Sequence, residues 1–469
     1  MPDPGGFSRV LIIRLGALGD VIRTLPALRA IRHRLPRAEI SWLVEESSRD
    51  LLEGHPDLDR VILLPRRRLS AELKRPWHLP RALGRLGGLA RDLRNLKFDA
   101  VFDLHGLLKS GLLARASGAP VRYGFPAELC REGSHHFLTH PLPVPPQVKN
   151  RVERLFHMLE AAGIPPRPEA GAGIFPGRDD SASVTRFLEE QVPSAADGIR
   201  GLVTLSAGSS SLQSWKRWPA ERFADTARVL TERFPAEVVL TWGPGERELA
   251  QAVQTMTASC RVHVAPPLRL MALADLLRRS TLFVGGDSGP MHLAASMGTA
   301  VVGIFGPTDP ELNRPLAPGG FTAVQPVGDF SDLSKQERRR TVAIEEVECA
   351  AVIEAAGDAF HKVWSTGNER VTEGDTPKPS PGNDRPLLHA ALLGGPVEVQ
   401  VLTHLLKEDG IPHHVRPFRE TAFDGIFEPQ KGHAELLVPE EMIERARALL
   451  ESVRAGEGLD EASVEGADP

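Results

Sequence analysis

The stretch Arg9–Asp20, RVLIIRLGALGD, is an apolar run that ends in a turn of small residues. Beyond it Val21, Leu25, Leu28 and Ile31 recur at helical spacing. A strand, a glycine turn and an amphipathic helix in that order commit a chain to a sheet covered by helices. EISWLVEE, a basic loop and the run ending FDAVFDLHG continue the alternation, and at GLVTLSAGSS the pattern restarts. Pro219 to Phe234 then reads as a helix with Phe223, Ala227, Leu230 and Phe234 on one face. EVVLTWGPGE, RVHVAPP and TLFVGGDSGP are further runs that each enter a loop. The pattern predicts an α/β protein with two similar halves, each a parallel sheet, and a cleft between them. Ligands in such sheets sit beyond the carboxyl ends of the strands, where the glycine loops fall.

At 469 residues the chain exceeds one ordinary core. Residues 1–170 are expected to form the first lobe and 198–365 the second. PPRPEAGAGIFPGRDDS, around 165–200, is read as the hinge. Residues 366–386 are polar, Pro-rich and aperiodic, and read as a linker. Residues 387–456 make a small α+β, ferredoxin-like unit from LLHAALL, IPHHVRPF and AELLVP strands and two helices. Residues 457–469 form an acidic tail. No apolar run reaches 18 residues, so no transmembrane segment is expected, and the N-terminus does not resemble a secretory signal. Cys130, Cys260 and Cys349 lie too far apart for a disulfide framework and suit a reducing cytoplasm. The net charge of −5 hides an asymmetry: residues 1–168 carry 27 Lys+Arg against 17 Asp+Glu, the rest 29 against 44. A basic first third points either to an anionic partner or to uneven solvation.

Three constellations could carry chemistry. In Gly16–Asp20 the turn lacks the dinucleotide fingerprint and the P-loop lysine, but places Asp20 at a strand–helix junction, as a helix cap or as an acid facing a ligand. In Gly285–His292, Pro290 favours the first helical turn, which makes Gly289 the expected cap and leaves Asp287 free. Small residues before a helix N-terminus can hold a phosphate, with Asp287 and His292 flanking. Ser209–Ser211 with Trp215–Trp218 offers hydroxyls and cations to a leaving diphosphate, or is a basic surface loop. No metal-ligand spacing, HExxH, GxSxG or DxD occurs at these junctions, and the pairs His135–His136 and His413–His414 diverge on a strand, so neither metal nor cofactor is expected.

Together these pieces resemble the ADP-heptose:lipopolysaccharide heptosyltransferases, glycosyltransferase family 9. The resemblance runs over roughly residues 8–350: RVLIIRLGALGDVIRTLPALRAI, SAGSSSLQSWKRWPAERFA, WGPGERELA and VGGDSGPMHLAASMGTAVVGIFGPTDP stand in the family's order. DLHGLLKSGLLARASGAPVRYGF is similar to heptosyltransferase I rather than II, with His105 where the family usually has Gln and Gly133 where it has Pro. The resemblance implies a GT-B fold of two facing Rossmann-like lobes and an inverting, metal-free transfer of heptose from ADP-heptose to a Kdo-lipid A acceptor. It implies Asp20 as general base and Lys216 as the cation on the diphosphate. It implies donor binding by Ser209, Ser210, Lys216, Glu246, Leu268, Asp287, Ser288, Gly289 and His292. Arg66, Arg67, Arg68, Lys109 and Arg131 are the acceptor candidates. The setting would be cytoplasmic, at the inner face of the inner membrane, without nucleic acid. Heptosyltransferase II or another nucleotide-sugar specificity, and a non-catalytic sugar-nucleotide sensor, are the alternative readings. Residues 387–454 resemble a short domain family named for prokaryotic signal transduction, and read as a module for a protein partner.

Overall fold

The computed structural model describes residues 4–372 apart from 75, 168–171, 209–210 and 258. Beyond them it describes 387–393, 414–417, 434–439 and 442–455 with isolated positions between. Strands β1 (Arg9–Ile13), β2 (Glu39–Glu45), β3 (Arg60–Leu64), β4 (Ala100–Asp103), β5 (Val121–Gly124) and β6 (His140–Pro141) form one parallel sheet. Its order is β3-β2-β1-β4-β5-β6. Strands β7 (Gly201–Ser206), β8 (Ala236–Thr241), β9 (Val262–Val264), β10 (Leu282–Gly286), β11 (Ala300–Ile304) and β12 (Phe321–Val324) form a second. Its order, β12-β11-β10-β7-β8-β9, repeats the first. These are the two expected Rossmann-like lobes. Helices cover both faces, so the strands read as nearly continuous apolar runs, with Val10–Ile13 and Leu282–Val284 fully buried. In each lobe the strand order reverses beside the first strand, between β1 and β4 and between β7 and β10. A crevice therefore opens beyond their carboxyl ends.

The Leu18–Arg34 helix leaves β1 and buries Val21, Ile22, Leu25, Leu28 and Ile31. It meets the Gly289–Ser296 helix of the second lobe at Gly19, where a side-chain Cβ would lie 2.9 Å from His292 Cδ2 and 3.6 Å from Gly289 Cα. Glycine is what lets the two helix starts approach this closely. Asn150 also ties the lobes together: its Oδ1 accepts from Val152 N (2.8 Å) at a helix start, and its Nδ2 donates to Arg314 O (2.9 Å).

Two expectations about boundaries need correction. Within the expected hinge, Arg178–Gln191 is a helix that buries Val184, Phe187 and Leu188 against Leu202, Val239 and Leu276 of the second lobe. That lobe thus starts upstream of 198. The Cys349–Thr372 helix continues past 365 into the expected linker. It buries Val352, Ala356 and Phe360 in the second lobe's core. Each large apolar side chain so buried contributes about 1.5–3 kcal/mol.

Residues 372–469 form a separate compact unit. There β13 (Leu387–Leu393), β15 (Ala434–Pro439) and β14 (His414–Pro417) pair antiparallel in that order, and the Ile443–Ala455 helix supplies Ala446 and Leu450 to a core with Leu436 and Val438. Most of the expected first helix, the rest of the linker and the acidic tail lie outside the described residues.

Candidate active site

Asp20 does not cap its helix. Ala17 occupies that position, and Asp20 sits in the first turn with its carboxylate aimed at cations. Arg14 Nη2 lies 3.0 Å from Oδ2 and Arg151 Nη1 3.5 Å from Oδ1, and Arg23 also pairs with it. Burial pushes the carboxyl's pKa up, but Arg14, Arg23 and Arg151 outweigh it and hold the group well below the usual carboxylate range.

Across the cleft, Asp287 follows β10 and is almost wholly buried. Lys216 Nζ lies 3.0 Å from its Oδ2 and donates to its backbone carbonyl at 3.2 Å, while His292 Nε2 stands 3.7 Å from Oδ1. Burial opposes ionisation of Asp287, but His292 and Lys216 hold its pKa well below the usual range. Burial, helped by Arg23 and opposed by Asp287, lowers the pKa of His292. The cap of the Gly289–Ser296 helix is Ser288 rather than the expected Gly289. The Ser288 hydroxyl makes no capping bond, and its buried Oγ has no partner, as has His292 Nδ1. Free helix-start N–H groups, an unpartnered hydroxyl and an ammonium make a seat for an anionic, phosphate-bearing ligand. Glu246 closes this side: it accepts from Gly243 N at 2.9 Å, lies 3.7 Å from Arg217, and presses on Gly208 so closely that a Cβ there would be 2.0 Å from its Oε2. Leu268 is partly buried against the second lobe's core. Ser209 and Ser210 lie outside the described residues.

The acceptor candidates do not form one group. Arg66 Nη1 and Lys109 Nζ converge on the buried carboxylate of Glu45, at 2.8 and 3.0 Å. Arg68 and Arg131 are exposed, and the side chain of Arg67 is not described. Among the described residues no group of three His, Cys, Asp or Glu is placed to hold a metal ion.

The family model for glycosyltransferase family 9 (heptosyltransferase) matches residues 86–341, more than half of the chain. The chain belongs to this family. Among its relatives, lipopolysaccharide heptosyltransferase 1 of Pseudomonas aeruginosa is 32% identical over 306 residues, 64% of this chain and 79% of that protein. The Escherichia coli K12 protein of that name is 27% identical, over 65% of this chain and 89% of its own length. The structure of E. coli heptosyltransferase WaaC with ADP is 25% identical, has a TM-score of 0.54, and matches over 71% of this chain and 98% of that one. The family 9 glycosyltransferase of Veillonella parvula shares the fold, with a TM-score of 0.63 at 24% identity over 76% of this chain and 98% of its own.

Several charged residues of this candidate site stand outside the glycine loops. Arg151 opens a helix 131 positions from Asp20 and also faces Asp287. Lys335 of the second lobe faces Arg131, Arg339, Arg151 and Lys216, and burial together with these cations lowers its pKa. Arg339 lies 4.5 Å from the Trp215 ring centroid, and Lys216 is 5.4 Å from the same ring. Asp103, at the end of β4, is pushed up to about 6 by burial, against the N–H groups of His105 and Gly106 and the Ser110 hydroxyl that donate to it. His105, lowered to about 3 by burial and then by Arg14 and Lys109, has both ring nitrogens buried without a partner. Asp103 and His105 stand in the DLHGLLKS stretch, and Arg23 carries a signal in its three-residue spacing from Asp20 on one helix.

Proposed function

We propose that this enzyme moves heptose from ADP-heptose to the Kdo sugar of lipid A, with inversion at the anomeric carbon, as a heptosyltransferase I. The observation that carries the proposal is the meeting of the Leu18–Arg34 and Gly289–Ser296 helix starts, which puts Asp20 and the Asp287–Lys216 pair on opposite walls of one cleft. Glu246 and Leu268 would hold the ribose and adenine, and Lys216, Ser288 and the helix-start N–H groups of Gly289 and Met291 the diphosphate, with Ser209 and Ser210 beside them. The Kdo hydroxyl forms the new C–O bond as the bond to ADP breaks. Its proton passes to Asp20, and ADP leaves against Lys216 and the helix start.

The three guanidinium groups keep Asp20 ionised but weaken it as a base. Proton transfer therefore comes late, once bond formation has made the attacking oxygen acidic. Arg66, Arg67, Arg68, Lys109 and Arg131 would meet the anionic groups of the acceptor. The decisive assay is purified enzyme with ADP-heptose and Kdo-lipid A, the product weighed by mass spectrometry and its anomeric configuration read by NMR. Transfer only to an acceptor that already carries heptose would replace subtype I by subtype II. Binding of ADP-heptose without turnover would replace the enzyme by a sensor.

No helix among the described residues is long and apolar enough to cross a membrane. The reading places the enzyme in the cytoplasm, at the inner face of the inner membrane. The separate C-terminal unit is proposed to serve a protein partner and not the chemistry, since every candidate site residue lies upstream. A chain ending just after Thr372, which spares the whole Cys349–Thr372 helix, keeps its transferase activity on this reading. A folded but inactive truncation would assign the unit to the site.

A further inference from the structure

The segment between β3 and β4 plays no part in either half of the site described above, apart from Arg66–Arg68 at its start. Residues 66–95 carry nine Lys/Arg and two Asp/Glu. The Leu79–Asn95 helix turns Ala82 and Leu93 into the first lobe's core, with Leu86 and Leu89 partly buried beside them. Its first turns and the Pro76–His78 turn before them expose large apolar side chains: Trp77 is 74% exposed, Leu79 43% and Leu83 57%. Leu79 and Leu83 are four residues apart and so share one flank. Lys74 and Arg81 are exposed close to them in sequence, and Arg91 and Arg94 further along the same helix, without an acid in ion-pair range among the described residues.

Topology places this patch. The helix runs back to the start of β4, so its own beginning lies at the carboxyl edge of the sheet, where the cleft opens. The Leu108–Ala116 helix leaves β4 at that same edge, contributes Ala114 to the same core cluster, and exposes Leu108 and Leu112 one turn apart. An exposed tryptophan with leucines, set among unpaired cations, suits the boundary between lipid headgroups and acyl chains. A second copy of the chain would set this positive face against itself.

We propose that the face built on Trp77, Leu79, Leu83 and the surrounding arginines docks on an anionic lipid bilayer and presents the cleft mouth to a lipid-anchored acceptor. The docking rests on the proposed function only through the acceptor's lipid anchor. Vesicle binding is measured without acceptor, so the two can fail separately.

The test uses the full chain with vesicles of phosphatidylethanolamine and phosphatidylglycerol, against phosphatidylcholine alone, in a flotation assay at low and high salt. Wild type is expected to float with the anionic vesicles only, less at high salt. Trp77→Ser with Leu83→Ser, and separately Arg81→Glu with Arg91→Glu, should weaken binding at least about tenfold with unchanged thermal midpoints. The same pairs should transfer heptose normally to a deacylated, water-soluble acceptor and at least about tenfold more slowly to acceptor held in vesicles. Absence of wild-type binding to anionic vesicles, or equal binding by the variants, would overturn the proposal. So would a variant that changes the mass in solution but leaves vesicle binding intact, since the patch would then join copies of the chain. Loss of transfer to the soluble acceptor in the wild type would instead strike at the heptosyltransferase reading.

Discussion

Replacing Gly208 by alanine asks whether the Glu246 carboxylate recognises the donor. A Cβ at 208 would stand 2.0 Å from Oε2 and 2.3 Å from Cδ of Glu246. Non-bonded carbon contacts settle near about 3.5 Å, so the carboxylate must retreat by more than about 1 Å. The retreat breaks its bond to Gly243 N, 2.9 Å in the native arrangement, and shifts it relative to Arg217. The displaced group is the free end of a flexible side chain, so the fold loses only about 1 kcal/mol, the net value of one hydrogen bond. Donor binding loses more. Hydrogen bonds from ribose hydroxyls to a charged acceptor are worth about 1.5–3 kcal/mol, which corresponds to roughly a 10- to 100-fold weaker Kd for ADP. Calorimetric titration with ADP, and kinetics with each substrate varied in turn, should show that donor-side loss with the acceptor KM unchanged. Glu246→Gln should produce a similar defect, and the double variant should be no worse than the poorer single one. If Gly208→Ala binds ADP within about twofold of wild type, Glu246 does not hold the ribose and the reasoning fails.

Asp20→Asn should bind donor nearly normally and transfer heptose at least about a hundredfold more slowly; wild-type turnover would relieve it of the role of base. The stability that Asp20 draws from its arginines is present above the unfolded carboxyl's pKa, about 3.9, and is lost as pH falls below it. Asp20→Asn should therefore have a lower thermal midpoint at neutral pH, and a difference that shrinks in acid. Lys216→Ala should lose about 2–4 kcal/mol of transition-state stabilisation, read as kcat/KM for the donor; unchanged kinetics would make it a structural partner of Asp287 alone. His105, with its folded pKa near 3, resists a proton that the unfolded chain accepts below about 6.5. Stability should therefore fall with pH below that value, by up to about 2 kcal/mol at pH 5. His105→Gln keeps the backbone N–H that serves Asp103 and should flatten the fall in denaturant titrations at pH 7.5 and 5; an equal fall in both proteins would place the imidazole in solvent.

Much of this molecule is legible in local sequence because the signals are local. An apolar run, a turn of small residues and a 3.6-residue periodicity act within one element, so β1, its turn and the Leu18–Arg34 helix could be read directly, as could their counterparts from Gly201 onward. The repetition of two α/β halves followed from that alternation, whereas the strand order within each came from the tertiary structure. The Arg178–Gln191 helix is hidden although Val184, Phe187 and Leu188 have helical spacing, because the prolines and glycines upstream mask the pattern. Asp20, Lys216 and Asp287 each stand beside a turn whose chemistry is local, and the family resemblance supplied the roles expected of them. What surrounds them could not be read so. Arg151 reaches Asp20 from 131 residues away, Glu45 gathers Arg66 and Lys109 from β2, and Lys335 faces the first lobe from the second. Sequence by itself determined two α/β halves and the loops that could carry chemistry. The tertiary structure alone decided which charges share a cleft, because Coulomb interactions and desolvation depend on distance in space, which local periodicity does not encode.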